Sequence, residues 1–301
     1  MKKKMAKALL IVNPSSGKEK GAKYKDMTKE VLEKRYEDVV VKETEKGGDA
    51  TDFASDAAKQ DFDAVVAMGG DGTLNEVING LAPHDNRPAF GFIPLGTVND
   101  LARSLGIPRK PEKAIKALEK AVLKPMDLGK IEDSYFMNVV AAGMIAQAVD
   151  KVDVEQKTKF GSLAYFFEGV KAFNKGELLH FQVEHEAGKW EGEAAMVIIG
   201  LTNSVAGIET FASDAKVDDG YMHLFLLTKL NLLSTANMLP KLLSGKLENS
   251  DDVIYIKTKK VQVQADESDI VVNVDGDPGP SLPVHLEVLP SHLQVLVPKN
   301  S

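Results

Sequence analysis

The stretch AVVAMGGDGTLNEVINGL, Ala64 to Leu81, constrains the fold more than any other part of the chain. Ala64 to Met68 is a compact apolar run, the pattern of a strand buried on both faces. Gly69-Gly70-Asp71-Gly72-Thr73 follows with no spacer, and a helical pattern from Thr73 to Leu81 follows that. A strand that passes through glycines straight into a helix belongs to a parallel sheet with helical crossovers. The rest of the first third keeps that rhythm. Strands are expected at Ala8 to Val12, Val39 to Glu43 and Ala89 to Ile93. Helices are expected over Lys18 to Tyr36 and from Asp49, with Asp49 at the cap position.

Near Pro125 the rhythm changes. YFMNVVAAG, LLHFQVEHE, GEAAMVIIG, YMHLFLL, DVIYIKTKKVQVQA, DIVVNVDG and PVHLEVL are closely spaced strand-like runs. Two helical stretches, Gly161 to Asn174 and Asn231 to Ser244, interrupt them. The expected fold is therefore an N-terminal Rossmann-like three-layer α/β domain over 1–127 and an antiparallel β-sandwich over 128–289. At 301 residues, about two domains is the ordinary count.

Composition narrows the function. A net charge of -7 argues against general nucleic-acid binding, which wants a basic face. With no cysteine there is neither a disulfide scaffold nor a thiolate metal site. MKKKMAKALLIVNP imitates a signal peptide, but its apolar core is short and Asn13-Pro14 ends it, so it reads as a first strand. No run approaches the roughly 20 apolar residues that span a bilayer. The six histidines are scattered without metal-ligand spacing, and His84 reads as solvated. Trp190 reads as packing, and the amphipathic stretch carrying Lys241 and Lys246 as a helix laid on the sandwich.

The glycines of GGDGT allow close backbone approach to a ligand, and free N–H groups at a helix start attract phosphate. Asp71 inside a phosphate cradle is explicable if Mg²⁺ lies between the two anions, since Mg²⁺ takes carboxylate and phosphate oxygens together. A second strand end, Pro94-Leu95-Gly96-Thr97, would face the same ligand, because open parallel sheets bind beyond the carboxyl ends of their strands. Asn99 and Asp100 then stand at a helix start, where they can cap it or reach the metal. Asn13-Pro14-Ser15-Ser16-Gly17 adds a third loop to that edge and Thr44 a fourth point, which together describe a nucleotide site.

The pair GGDGTLNEV and PLGTVNDLAR, about 20 residues apart, resembles the diacylglycerol kinase catalytic domain family. NPSSGK, PMDLGKI, KFGSLAYFFEGVKAF and DAKVDDGYMHLFLL are similar to further family segments, so the resemblance covers most of the chain. It implies the two-domain NAD kinase/diacylglycerol kinase-like fold, with a last strand at about 290–299 returning to the first domain. It implies an ATP- and Mg²⁺-dependent lipid kinase that gives phosphatidic acid from a diacylglycerol-like lipid. Such an enzyme is cytoplasmic, makes peripheral contact with the inner membrane face, and has a homodimer as the oligomer to test. The implied nucleotide residues are Asn13, Pro14, Ser15, Ser16, Gly17, Thr44, Gly70, Asp71, Gly72, Thr73, Leu74, Asn75, Glu76, Thr97 and Asp100, with Lys18 as a further phosphate contact. The implied Mg²⁺ network is Asp71, Asp100 and Asp127, and the implied structural metal site is Asp219 with the carbonyls of Lys216 and Tyr221.

The family's catalytic base is a glutamate in an Asp-Gly-Glu turn; here the turn reads Asp275-Gly276-Asp277, so Asp277 takes that role with one methylene less. Taken alone, Asp-Gly is also a favoured hairpin turn. Gly143-Met144-Ile145 lacks the carboxylate that relatives often carry, and Ile208 and Ser213 stand where a glycine and a proline are usual. These departures touch the acceptor side. Two other classes stay open: an NAD kinase, which shares GGDGT, and a nucleotide- or lipid-binding relative with weak or lost activity.

Overall fold

A computed structural model describes residues 5–143, 178–205, 207–212, 214–229, 232–267 and 269–299. The expected helix over Gly161 to Asn174, with Met144, Ile145 and Ser213, lies outside them. The chain divides into two units, 1–127 with 291–301, and 128–290.

The first unit is built of alternating strands and helices: β1 (Met5–Val12), α1 (Ser16–Glu33), β2 (Tyr36–Glu43), α2 (Asp49–Lys59), β3 (Ala64–Gly69), α3 (Asp71–Leu81), β4 (Ala89–Pro94), α4 (Asp100–Ser104) and α5 (Pro111–Leu118). The strands lie parallel in the order β2-β1-β3-β4. Leu10 sits between Val41 and Val66, and Val66 is level with Gly91. Every residue of β3 and β4 is buried. That is the reason for their unbroken apolar runs: helices cover a parallel sheet on both faces, so there is no solvent side to mark with polar residues. Beyond β4 lies the last part of a long strand, Val284–Val297, with Val295 parallel to Phe90.

The second unit is antiparallel. Its elements are the end of β5 (Val122–Ile131), β6 (Ser134–Phe136), β7 (Val139–Gly143), β8 (Leu179–His185), β9 (Gly188–Ala194), β10 (Met196–Gly200), β11 (Met222–Leu227), α6 (Leu232–Leu243), β12 (Val253–Thr258), β13 (Lys260–Ala265), β14 (Val271–Val274), β15 (Asp277–Ser281) and the start of β16 (Val284–Val297). One sheet runs β16-β13-β8-β9, the other β12-β11-β10-β7-β14-β15. Alternate residues of β10 separate two cores. Val197 and Ile199 meet Phe181, Val261 and Leu286 from the first sheet. Met196 and Ile198 turn the other way, to Met238 and Leu242 of α6. The second sheet is thus apolar on both faces, and α6 is a packing helix.

Local differences from the expected elements have local causes. The helix after β3 starts at Asp71, two residues early, because the Gly70 carbonyl already accepts the Leu74 N–H. Asp49 is not the cap of α2; Gly48 is, with φ 89°. Asp49 instead folds back to accept the N–H groups of Glu45 and Lys46, and those bonds hold its carboxyl below the usual range. YFMNVVAAG is two strands, broken at Met137-Asn138. His84 is not simply solvated, since its Nε2 is 2.9 Å from Ser55 Oγ.

Candidate functional site

Three strand ends of the first unit are tied into one rim. The Asn13 N–H, just past β1, bonds to the Met68 carbonyl on β3. Its Nδ2 donates to Thr73 Oγ1 at 3.0 Å, and its Oδ1 accepts from Ser15 Oγ at 2.9 Å. The Leu95 N–H, just past β4, bonds to the Gly69 carbonyl. A side chain added at Gly17 would come within 2.5 Å of the Leu95 carbonyl oxygen, so the first loop also leans on the end of β4. Thr44, half-buried, is fixed at its strand end by its N–H to Val12.

The two glycine loops are joined most closely. Asp71 Oδ2 accepts the N–H of Asn99 at 2.9 Å, and Asn99 Nδ2 donates to the Gly96 carbonyl at 2.8 Å. Asn99 is held at φ 55°, a left-handed conformation that asparagine tolerates better than most residues. A Cβ on Gly96 would lie 3.0 Å from the Gly70 Cα, so backbone meets backbone there. Gly72 behaves differently. It is exposed, and a Cβ built on it meets nothing within 4 Å. The chain's own packing does not require glycine at 72.

The remaining residues of the expected nucleotide set divide. Pro14, Ser15, Ser16, Gly70 and the exposed Thr97 lie on this rim. Asp100 is buried as the first residue of α4. Glu76 accepts the Ala50 N–H through Oε2, and its carbonyl accepts from Thr51 Oγ1, which ties α3 to the start of α2. Asn75 Oδ1 accepts from Asn79 Nδ2. Leu74 does not join the rim: its side chain is 1% exposed in the core and its N–H is used by Gly70. Lys18 lies in α1, and its side chain is outside the described residues.

The carboxylates expected to share Mg²⁺ do not come together as a ready-made cluster. Among the described residues, no three histidine, aspartate or glutamate side chains converge on a point that could hold a metal. The reason is visible at two of them: Asp71 turns to the Asn99 N–H, and Asp127, 4% exposed, accepts the Ser291 N–H at 2.6 Å.

In the second unit, Asp275 and Gly276 form a two-residue hairpin turn with φ of 52° and 103°, between the paired Val274 and Asp277. Positive φ at both positions is the turn that Asp-Gly favours. Asp275 is its anchor. Its carboxylate accepts three backbone N–H groups, from Met137 at 2.7 Å and from Asn138 and Val139 at 2.9 Å. Those bonds draw Met137-Asn138 out of the ladder and break the strand there. Asp277, exposed, opens β15 on the far side of the turn. The anchoring role was hidden in the sequence, because its partners lie more than 130 positions away.

The expected metal site at Asp219 is filled by protein groups. Asp219 Oδ2 is 3.0 Å from His223 Nε2 and 3.2 Å from Lys257 Nζ, and Oδ1 accepts the Tyr221 N–H at 3.0 Å. The carbonyl of Lys216 accepts the Asp219 N–H. Elsewhere in this unit, a cavity of about 520 Å³ is lined by Glu132, Glu184, Lys260, His285 and Glu287 among others. None of the expected site residues reaches it, and His285–Glu132 and Lys260–Glu287 ion pairs mark it as a charged, solvated face.

A parallel α/β unit with glycine loops at its strand ends, followed by an antiparallel β-sandwich unit, defines the NAD kinase/diacylglycerol kinase-like class. Residues 7–131 match the diacylglycerol kinase catalytic domain, and 138–297 match the YegS C-terminal NAD kinase beta sandwich-like domain. The diacylglycerol kinase of Bacillus subtilis (strain 168) is 37% identical over 297 residues, 98% of each chain. The diacylglycerol kinase of Staphylococcus epidermidis is 36% identical over 294 residues, 98% of this chain and 93% of that one. A crystal structure of a diacylglycerol kinase from Bacillus anthracis str. Sterne superposes with a TM-score of 0.83 at 27% identity, covering 99% of both chains. The chain belongs to the diacylglycerol kinase family and is by that membership a lipid kinase.

Proposed function

We propose that the chain transfers the γ-phosphoryl group of ATP to the free hydroxyl of a diacylglycerol, giving phosphatidic acid and ADP, at the cytoplasmic face of a membrane. The observation that carries the ATP half is the Asp71–Asn99 bond joining the two glycine loops beside the open face of Gly72. The acceptor is supported by the relatives of B. subtilis and S. epidermidis, both diacylglycerol kinases.

In this mechanism the N–H groups at the start of α3 and in the Asn13–Gly17 loop bind the phosphates, aided by the positive end of the α3 dipole. Asp71 is kept in one orientation by Asn99. Mg²⁺ usually takes one or two carboxylates and completes its shell with phosphate oxygens and water, and Asp71 and Asp100 would be the residues to hold it. When bound, the ion would supply positive charge against the phosphates. Asp277 accepts the proton of the lipid hydroxyl as its oxygen bonds to the γ-phosphorus and the bond from that phosphorus to the bridging oxygen breaks. Asp275 holds the turn from which Asp277 acts. Met238 and Leu242 of α6 pack on the sandwich core, while Leu243 is exposed.

The test is transfer from γ-labelled ATP to diacylglycerol, ceramide, sphingosine and phosphatidylglycerol in mixed micelles, with NAD as a control. The expected result is labelled phosphatidic acid, with kcat reduced about 10²-fold or more in Asp277→Asn and largely kept in Asp277→Glu. Label on NAD would move the chain to the NAD kinases. ATP binding with no labelled product would leave a binding relative that has lost turnover.

A further inference from the structure

The Asp219-Gly220 turn is where this chain and its family resemblance part. The resemblance implies a cation held by the Asp219 carboxylate and the carbonyls of Lys216 and Tyr221. The turn itself is well defined: the Asp219 N–H bonds back to Lys216, Gly220 sits at φ 74°, and the Tyr221 N–H closes onto Asp219 Oδ1. The other carboxylate oxygen meets two side chains brought there by sheet register. His223 and Lys257 are paired residues on β11 and β12. His223, 1% exposed, places Nε2 at 3.0 Å from Oδ2, and Lys257 places its ammonium at 3.2 Å from the same atom. With the His223 Nε2–H donating to the carboxylate, Nδ1 accepts from the Tyr255 hydroxyl at 2.7 Å. The Lys257 ammonium also lies 4.4 Å from the centre of the Tyr221 ring.

We infer that Lys257 is a built-in cation: its ammonium takes the place of a bound metal at Asp219, and the turn is metal-independent. A divalent ion at Oδ2 would have to share that oxygen with an ammonium, and like charges a few ångströms apart repel at any dielectric. Burial works against the Asp219 charge, yet the hydrogen bonds of His223, Lys257 and the Tyr221 N–H outweigh it and hold the carboxyl below its usual range. Burial, with the nearby Asp214 and Asp219 charges, pushes Tyr255 up to about 12, so its hydroxyl keeps the proton that it donates to His223. The inference does not depend on the lipid acceptor or on turnover.

The test is thermal melting of the desalted full-length protein without nucleotide, in EDTA and in millimolar Mg²⁺ or Ca²⁺. Wild type is expected to melt at the same temperature in all three. Lys257→Met is expected to melt about 2–4 °C lower and to recover part of that loss with Ca²⁺, while Lys257→Arg behaves as wild type. The inference is overturned if EDTA lowers the wild-type melting point and Asp219→Asn removes that sensitivity. It is equally overturned if Lys257→Met melts like wild type. A chelator effect that persists in Asp219→Asn belongs to another site, and the Lys257→Met comparison then decides.

Discussion

Asp71-Gly72 and Asp275-Gly276 are the same dipeptide with opposite uses. Both aspartates accept backbone N–H groups from a distant segment. Asp275 gives its carboxylate to three N–H groups and a hairpin whose glycine is needed at φ 103°. Asp71 clamps a second glycine loop, next to a glycine that the fold itself does not need. An Asp-Gly pair therefore says little about role. What separates the two is the backbone: Gly276 sits at φ 103°, which a side chain rarely adopts, whereas Gly72 lies in the first turn of α3, where the fold would accept one.

The sharpest way to break this comparison is Asp71→Asn. It should lower kcat/KM for ATP-dependent transfer by about 10³-fold with little change in melting temperature. Activity kept within about tenfold would make Asp71 as structural as Asp275. Asp275→Asn should do the reverse. Weakening a three-bond anchor should remove about 2–3 kcal/mol and lower the melting temperature by about 5–10 °C, read by calorimetry. An unshifted transition would deny Asp275 its anchoring role.

Gly72→Ala sharpens the contrast. The fold has room for the methyl group, and alanine is the better helix former by about 0.5–1 kcal/mol, so stability should hold or rise. The KM for ATP should nevertheless climb by about tenfold, which is about 1.4 kcal/mol. Unchanged ATP kinetics would show that nothing approaches this face.

The smallest effect concerns His292 of the first unit, whose Nε2 lies 2.9 Å from the Ala82 carbonyl and whose ring burial holds it below the usual histidine value. The unfolded chain takes up this proton at about pH 6.5, and the folded chain only at lower pH. The stabilising contribution is therefore complete above about pH 6.5 and is lost as pH falls through the folded value. Melting temperature should slope downward from about pH 7 to pH 5, and His292→Gln should flatten part of that slope.

Much of this was legible in the chain. Buried parallel strands write themselves as apolar runs, and the rim loops as glycine clusters at their ends. What stayed hidden depends on register and distance. Lys257 lies 38 positions from Asp219, and only the pairing of β11 with β12 brings it there. The break in YFMNVVAAG is imposed by Asp275 from a far strand, so no local pattern records it. Asp49 reads as a cap because aspartate before a helix usually is one; here it turned back to its own loop instead. Leu74 stands inside the glycine motif but belongs to the core, as the apolar spacing of Leu74, Val77 and Ile78 already suggests.

β16 carries one more consequence. Its end, with Val295 beside Phe90, belongs to the first unit, while its start pairs with β13 in the second. On the ribosome, β4 is made early, but its outer neighbour is not made until all of the second unit has been translated. At ordinary elongation speeds that interval is on the order of ten seconds. For that time the nascent first unit holds a bare, apolar parallel edge, the kind of surface that aggregates or recruits a chaperone. The nucleotide unit is thus begun first and finished last, and a stop codon just before Ser291 would cripple the domain at the opposite end of the gene.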